Sequence, residues 1–194
     1  MPPKVKTTKD EILKAALGIV RKGGAQALNA RALADALGCS TQPVFSNYPG
    51  MDELRADRQG TDGIRIGCGQ LRKRSDVPKY KAFGLAYIEF AKEEPELFRL
   101  LFMCDRSGGK KEEDTETLDR MADIISSAVG ISREEAYVFH LEMWIYVHGI
   151  ASMIATSYLE WDEAFISRAL SDAYAGLKLH YTEKYGSEKS NEPS

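Results

Sequence analysis

Apolar residues recur every three or four positions through most of this chain, and no stretch after Leu54 alternates with polar residues as a half-buried strand would. The pattern predicts an all-α protein. Ile12, Leu13, Ala16, Leu17 and Val20 fall on one face of a first helix. Thr8-Lys9-Asp10-Glu11 fits a capping box at its start, and Gly23-Gly24 ends it. Leu28, Leu33, Ala34 and Leu37 mark the apolar side of a second helix, with Asn29 as N-cap and Gly38 as a stop able to take positive φ. A third helix starts at about Ser40, and only Val44 and Tyr48, four residues apart, are placed to face inward.

That third pattern carries the functional signal. Two short helices around a Gly-Cys-Ser turn form the arrangement of a helix-turn-helix DNA reader. Thr41, Gln42, Pro43, Phe45, Ser46 and Asn47 are small, polar or flat, and they suit the major groove, where hydroxyls, amides and small apolar groups meet base edges.

Beyond residue 54 the chain reads as helix and loop. Residues 52–74 predict a connecting helix interrupted by Gly60, Gly63, Gly67 and Gly69, either frayed or a soft joint between two domains. Phe83, Ala86, Tyr87, Phe90 and Ala91 follow at helical spacing, and Pro95 restarts a short aromatic-rich helix, ELFRLLFM. The glycines and charges of residues 107–114 predict a loop. Thr117 to Val129 is amphipathic and Gly130 ends it. Ser132-Arg133-Glu134-Glu135 is a second capping box, opening a helix so apolar from Tyr137 to Ile154 that it must be central in its domain or shared between subunits. Asp162 caps a last helix in which Ala169, Ala173 and Gly176 allow another helix to approach. The two final helices predict pairing with their copies in a four-helix bundle.

Charge separates the two parts. The net charge is −3, but residues 1–58 hold nine Lys and Arg against six Asp and Glu, and the remainder holds seventeen against twenty-three. Nucleic acid is expected at the N-terminal end. Cys39, Cys68 and Cys104 are odd in number and lack metal-ligand spacing, so free thiols in a reducing cytosol are expected, with no cofactor and no metal. His140, Trp144 and His148 share one helix side, but no Cys or carboxylate completes a ligand set at matching spacing. The sequence contains no nucleophile elbow, phosphate loop or His-Glu-x-x-His motif, so a non-enzymatic protein is expected. No leader and no apolar stretch long enough for a bilayer is read from the sequence, which predicts a cytoplasmic protein without a membrane partner.

The stretch from about Thr8 to Leu54 resembles the N-terminal domain of the tetracycline-repressor (TetR) family, through ILKAAL, the Gly23-Gly24 exit, ALNARALADALG, STQPVFSNY and DEL. AYIEFAKEEPELFRLLFMCD, together with Trp144, His148 and Gly149 in the spacing W-x-x-x-H-G, resembles the C-terminal sensor domain of one branch of that family. The resemblance implies that Arg31, Ser40, Thr41, Gln42, Pro43, Phe45, Asn47 and Tyr48 form the DNA-binding surface. Phe45 lacks a hydroxyl, and Met51 stands where the family commonly has lysine, so Lys4, Lys6, Lys9 and Arg55 are candidates for backbone contacts. Tyr87, Phe90, Phe98, Phe102, Met103, Trp144 and His148 are candidates for an effector pocket.

The expected organisation is a helix-turn-helix DNA-binding domain over residues 1–54, an effector-binding and dimerisation domain over 55–185, and a disordered polar tail over 186–194. The expected function is a homodimeric regulator bound to a double-stranded operator and released by a small-molecule effector. A helical dimeric scaffold without sequence-selective DNA binding is the alternative.

Overall fold

A computed structural model describes residues 7–54, 77–103 and 115–186, and all regular structure among them is helical. Contacts divide the chain into two units. Met1–Gly67 and Phe90–Lys111 form the first, Cys68–Glu89 and Glu112–Ser194 the second. The glycine-interrupted segment 55–76, the loop at 107–114, the tail, Lys4, Lys6, Arg55, Cys68 and Cys104 lie outside the described residues. The expected boundary after residue 54 differs from this division, because the second half of the aromatic stretch packs with the reader.

In the first unit, α1 (Lys9–Gly23) has the expected capping box, with Thr8 accepting from the Glu11 backbone and Glu11 reaching back to the Thr8 backbone. Ile12, Ala16 and Val20 are its buried stripe. A 3-10 turn at Ala25–Ala27 leads to α2 (Ala30–Leu37), where the Asn29 side chain accepts from the backbone of Arg31 and Ala32. Gly38 closes α2 in the left-handed region at φ 63°. The third helix, α3, is shorter than expected and runs from Gln42 to Asn47, with no side-chain cap at Thr41. Residues 51–54 are helical again and Leu54 is buried.

The aromatic stretch forms α4 (Lys79–Glu93), and Pro95 opens α5 (Pro95–Phe102) as the sequence predicts. Helix α5 packs against α1. Phe90 and Phe98 are fully buried there, and the Phe98 and Phe102 rings lie 5.0 Å apart. Arg21 Nε to Glu94 Oε1, at 2.9 Å, ties the end of α1 to the segment between α4 and α5.

The second unit is built on α6 (Thr115–Val129), α7 (Arg133–Ala155) and α8 (Glu163–Gly186), with the first part of α4. Ser132 and Glu135 form the second capping box, and the Phe165 backbone donates to Asp162 Oδ1 at 2.6 Å. Ile125, Phe139, Met143 and Tyr181 belong to one buried cluster, against which Tyr80, Ala173, Tyr174 and Leu177 pack. Gly84 permits close helix approach, because a Cβ there would lie 3.3 Å from Val147 Cγ2 on α7 and 3.4 Å from Leu170 Cδ1 on α8.

One expectation changes and another is sharpened. Of the small residues on α8, Ala173 packs on the unit's own core, while a Cβ at Gly176 would meet open space. Residue size shows where a helix can be approached but not from which side. Helix α7 is also long and apolar enough by length and composition to cross a membrane, contrary to the sequence reading. Beyond its charged first turn, His140, Glu142, His148 and Ser152 are too sparse to break the apolar run.

The turn between α2 and α3 gives a direct test. Gly38 has room for a Cβ, so Gly38→Ala meets only the left-handed backbone cost and should lose about 1 to 2 kcal/mol in denaturant unfolding. Gly38→Asn should lose less, since asparagine tolerates that region. Equal stability of all three proteins would show that the turn carries no strain.

Candidate nucleic-acid interface and sensor site

Helix α3 has six residues, too few to be stable alone, so its neighbours must hold it. Val44 and Tyr48 are its buried anchors, and Lys9 Nζ lies 4.9 Å from the centre of the Tyr48 ring. The opposite side is open. Ser40, Thr41, Gln42, Phe45 and Ser46 are exposed, Pro43 is half-buried, and Arg31 projects from the first turn of α2. Gln42, Phe45 and Ser46 share a face by helical spacing. Ser46 Oγ donates back to Gln42 O at 2.9 Å, which engages its proton inside the helix.

Two of the expected contact residues are placed differently. Tyr48 is only 2% exposed, so its ring is core and does not reach bases. Asn47 is half-buried, and its Nδ2 donates to Pro43 O at 2.8 Å and to Thr7 O at 3.2 Å. The four-residue spacing from Val44 turns Tyr48 inward, and it is the resemblance that puts it on the DNA surface; for Asn47 the spacing could not show which way the amide turns.

The expected effector residues divide into two groups. Phe90, Phe98, Phe102 and Met103 belong to the first unit, where the two fully buried phenylalanines form packing. Tyr87, Trp144 and His148 belong to the second and come together there. The Tyr87 hydroxyl and His148 Nδ1 are 2.9 Å apart. Trp144 stacks on His148 with centroids 5.0 Å apart and planes 17° apart, and its indole is 43% exposed.

A second pair repeats the arrangement along the same two helices, with the Tyr80 hydroxyl 3.0 Å from His140 Nδ1. The sequence reading missed this pairing. Its trace was there, since two tyrosines seven apart on α4 face two histidines eight apart on α7. Burial raises the pKa of both phenols well above the ordinary tyrosine range and holds both imidazoles below theirs. Both pairs are therefore neutral and hydrogen-bonded at physiological pH.

An open groove of about 550 Å³ lies elsewhere in the second unit. It is lined by Leu118, Ala122, Tyr137 and Val138 with Asp119, Arg133 and Glu134, and by none of the expected effector residues. Among the described residues, no group of three or more His, Cys, Asp or Glu side chains is placed to hold a metal ion.

These features define an all-helical protein with a helix-turn-helix reader and a larger helical unit. Residues 80–173 match the family model for the tetracyclin repressor-like C-terminal domain. The structure of a TetR-family protein from Vibrio parahaemolyticus, a proposed transcriptional regulator, has a similar fold. The TM-score is 0.58 over 86% of this chain and 96% of that one, at 16% sequence identity. No curated protein sequence matches the chain. The chain is thus similar to the TetR family by sequence over residues 80–173 and by its fold.

The histidines predict a pH dependence of stability. Folding lowers their proton affinity, so the unfolded chain takes up protons near pH 6.5 that the folded chain does not. Stability should be full above about pH 6.5 and fall as the pH drops below it toward the lowered folded values. Melting temperatures between about pH 7.5 and 5.5, with histidine NMR titrations, check this. A flat melting profile with both rings titrating at their ordinary pKa would refute it.

Proposed function

We propose that this protein is a homodimeric transcriptional repressor that binds an inverted-repeat operator and is released by an apolar or amphipathic small molecule. The observation that carries the reading is the exposed polar surface of α3, with Thr41 and Gln42 outward and the helix anchored by Val44 and Tyr48. The tetracyclin repressor-like match supports repression, and the likeness to the Vibrio parahaemolyticus regulator supports regulation of transcription. Arg31, Ser40, Thr41, Gln42, Pro43 and Phe45 form the proposed contact surface, with Lys9 available for a phosphate.

Dimerisation through α7 and α8 is supported by the apolar surface those helices leave uncovered. Val138, Leu141, Ile145 and Met153 on α7, and Phe165 and Leu179 on α8, are all exposed, with Ile145 at 66% and Leu179 at 61%. Side chains of this size on adjacent turns suit a helix-packed interface better than solvent. Tyr87, Trp144 and His148 form the proposed effector contact, combining a flat apolar surface with hydrogen-bonding groups. An effector that weakens operator binding tenfold needs about 1.4 kcal/mol of coupling between the two sites.

Selection of bound DNA from a random pool tests the reading. An enriched inverted repeat is expected, and the absence of any enriched sequence would leave the scaffold alternative standing. Gln42→Ala should relax preference at one or two positions in each half-site by about 1 to 3 kcal/mol if the amide makes a bidentate base contact. Binding to single-base operator variants measures this, and an unchanged preference would take Gln42 off the reading surface.

Ile145→Asp and Leu179→Asp test the interface separately. Each should shift the protein toward monomer in sedimentation and weaken operator binding, since a single reader makes half the contacts. A dimer intact in both variants would place the interface elsewhere.

A further inference from the structure

Helix α3 has a holding problem that Val44 and Tyr48 do not solve alone. Both anchors lie on one side, so they keep the helix against the domain but leave its rotation less constrained. Asn47 supplies a lateral tie. Its Nδ2 bonds one turn back to Pro43 O at 2.8 Å and across forty residues of chain to Thr7 O at 3.2 Å. Thr7 is the residue just before Thr8, the N-cap of α1. Lys9, in the first turn of α1, lies against Tyr48, the next residue of the reading segment. The start of α1 and the end of α3 are thus joined at two neighbouring points.

The amide chemistry determines what Asn47 has left to offer. Both acceptors are carbonyl oxygens, so the amide nitrogen must face them, and a flipped amide would set three oxygens against one another. Each of its two hydrogens then has a partner. Bidentate recognition of adenine needs a donor and an acceptor from the same amide, and here the donors are already engaged.

We propose that Asn47 is a positioning residue of the reader, a strap that sets the orientation of α3 against the start of α1, and that it does not read a base. This rests on the DNA-binding function proposed above. The orientation of α3 controls where Thr41 and Gln42 meet the groove, so loss of the strap blurs several contacts together.

Asn47→Ser isolates the strap. A serine can bond back to the carbonyl four residues earlier, as Ser46 does to Gln42, but is too short to reach Thr7. Asn47→Ala removes both bonds. The full-length variants are compared with wild type on the selected operator and on every single-base change in one half-site. Both should bind the operator about tenfold more weakly, the equivalent of one to two neutral hydrogen bonds, and lose preference at several positions, including those weakened by Gln42→Ala. Combining Asn47→Ser with Gln42→Ala should be less than additive.

Loss of preference confined to one or two base pairs untouched by Gln42→Ala would overturn the proposal in favour of a base contact. Lower melting temperature with unchanged preference would overturn it in favour of a role in folding alone, and wild-type behaviour of Asn47→Ser would show that the bond to Thr7 does nothing. Hydrogen exchange judges the strap without DNA. The Phe45 and Tyr48 amides, bonded to Thr41 O and Val44 O, should exchange faster in both variants while α2 stays protected. Unchanged exchange would overturn the strap, whereas failure of the wild type to select any operator overturns the proposed function and leaves exchange to decide the strap.

Discussion

Helix α7 carries apolar side chains around its whole circumference, and a helix of that kind must be covered on every side. Phe139, Met143, Val147, Ile150 and Ala151 turn toward the core of the second unit and are buried. Val138, Leu141 and Ile145 turn the other way and are exposed. The first set organises the unit. Helix α6 packs along α7, the Tyr174 and Tyr181 rings close on Phe139 at 5.4 Å each, and α4 approaches α7 and α8 closely at Gly84. The second set is the physical reason for expecting a partner helix, since burying each such side chain contributes roughly 1.5 to 3 kcal/mol.

The reader faces the opposite difficulty. Helix α3 is too short and too polar to hold itself, because a surface left open to solvent is not also available for packing. Its stability is borrowed from α1 and α2 through Val44, Tyr48 and the Asn47 amide. This division of roles within six residues explains why neighbouring side chains differ so sharply in exposure. Gln42 and Phe45 are open to solvent, while Val44 between them is 1% exposed.

The two Tyr–His pairs in the second unit combine features that rarely coexist on one face. A partly buried phenol and a partly buried imidazole satisfy each other's polar atoms, so both remain neutral in a largely apolar setting. At His148 the same ring also stacks on a partly exposed indole. The site can therefore meet a flat apolar group and a hydrogen-bonding group together, which is the chemistry proposed for the effector.

Much of the fold was legible from local rules. The Thr8 and Ser132 capping boxes, the Asn29 and Asp162 caps, the Gly38 stop and the break at Pro95 all act within one turn of chain, where sequence spacing and spatial spacing are nearly the same. The helix-turn-helix pattern belongs with them, since it depends on residues close in sequence. What depends on distant residues was not legible. Periodicity turned Tyr48 inward and put Asn47 on the reading helix, but only the return of α1 to that helix showed that Asn47 ties it to Thr7. The aromatics at 87, 90, 98 and 102 read as one stripe, yet packing assigns Tyr87 and the three phenylalanines to different units. A helical pattern specifies which residues share a face, and the tertiary structure decides what that face meets.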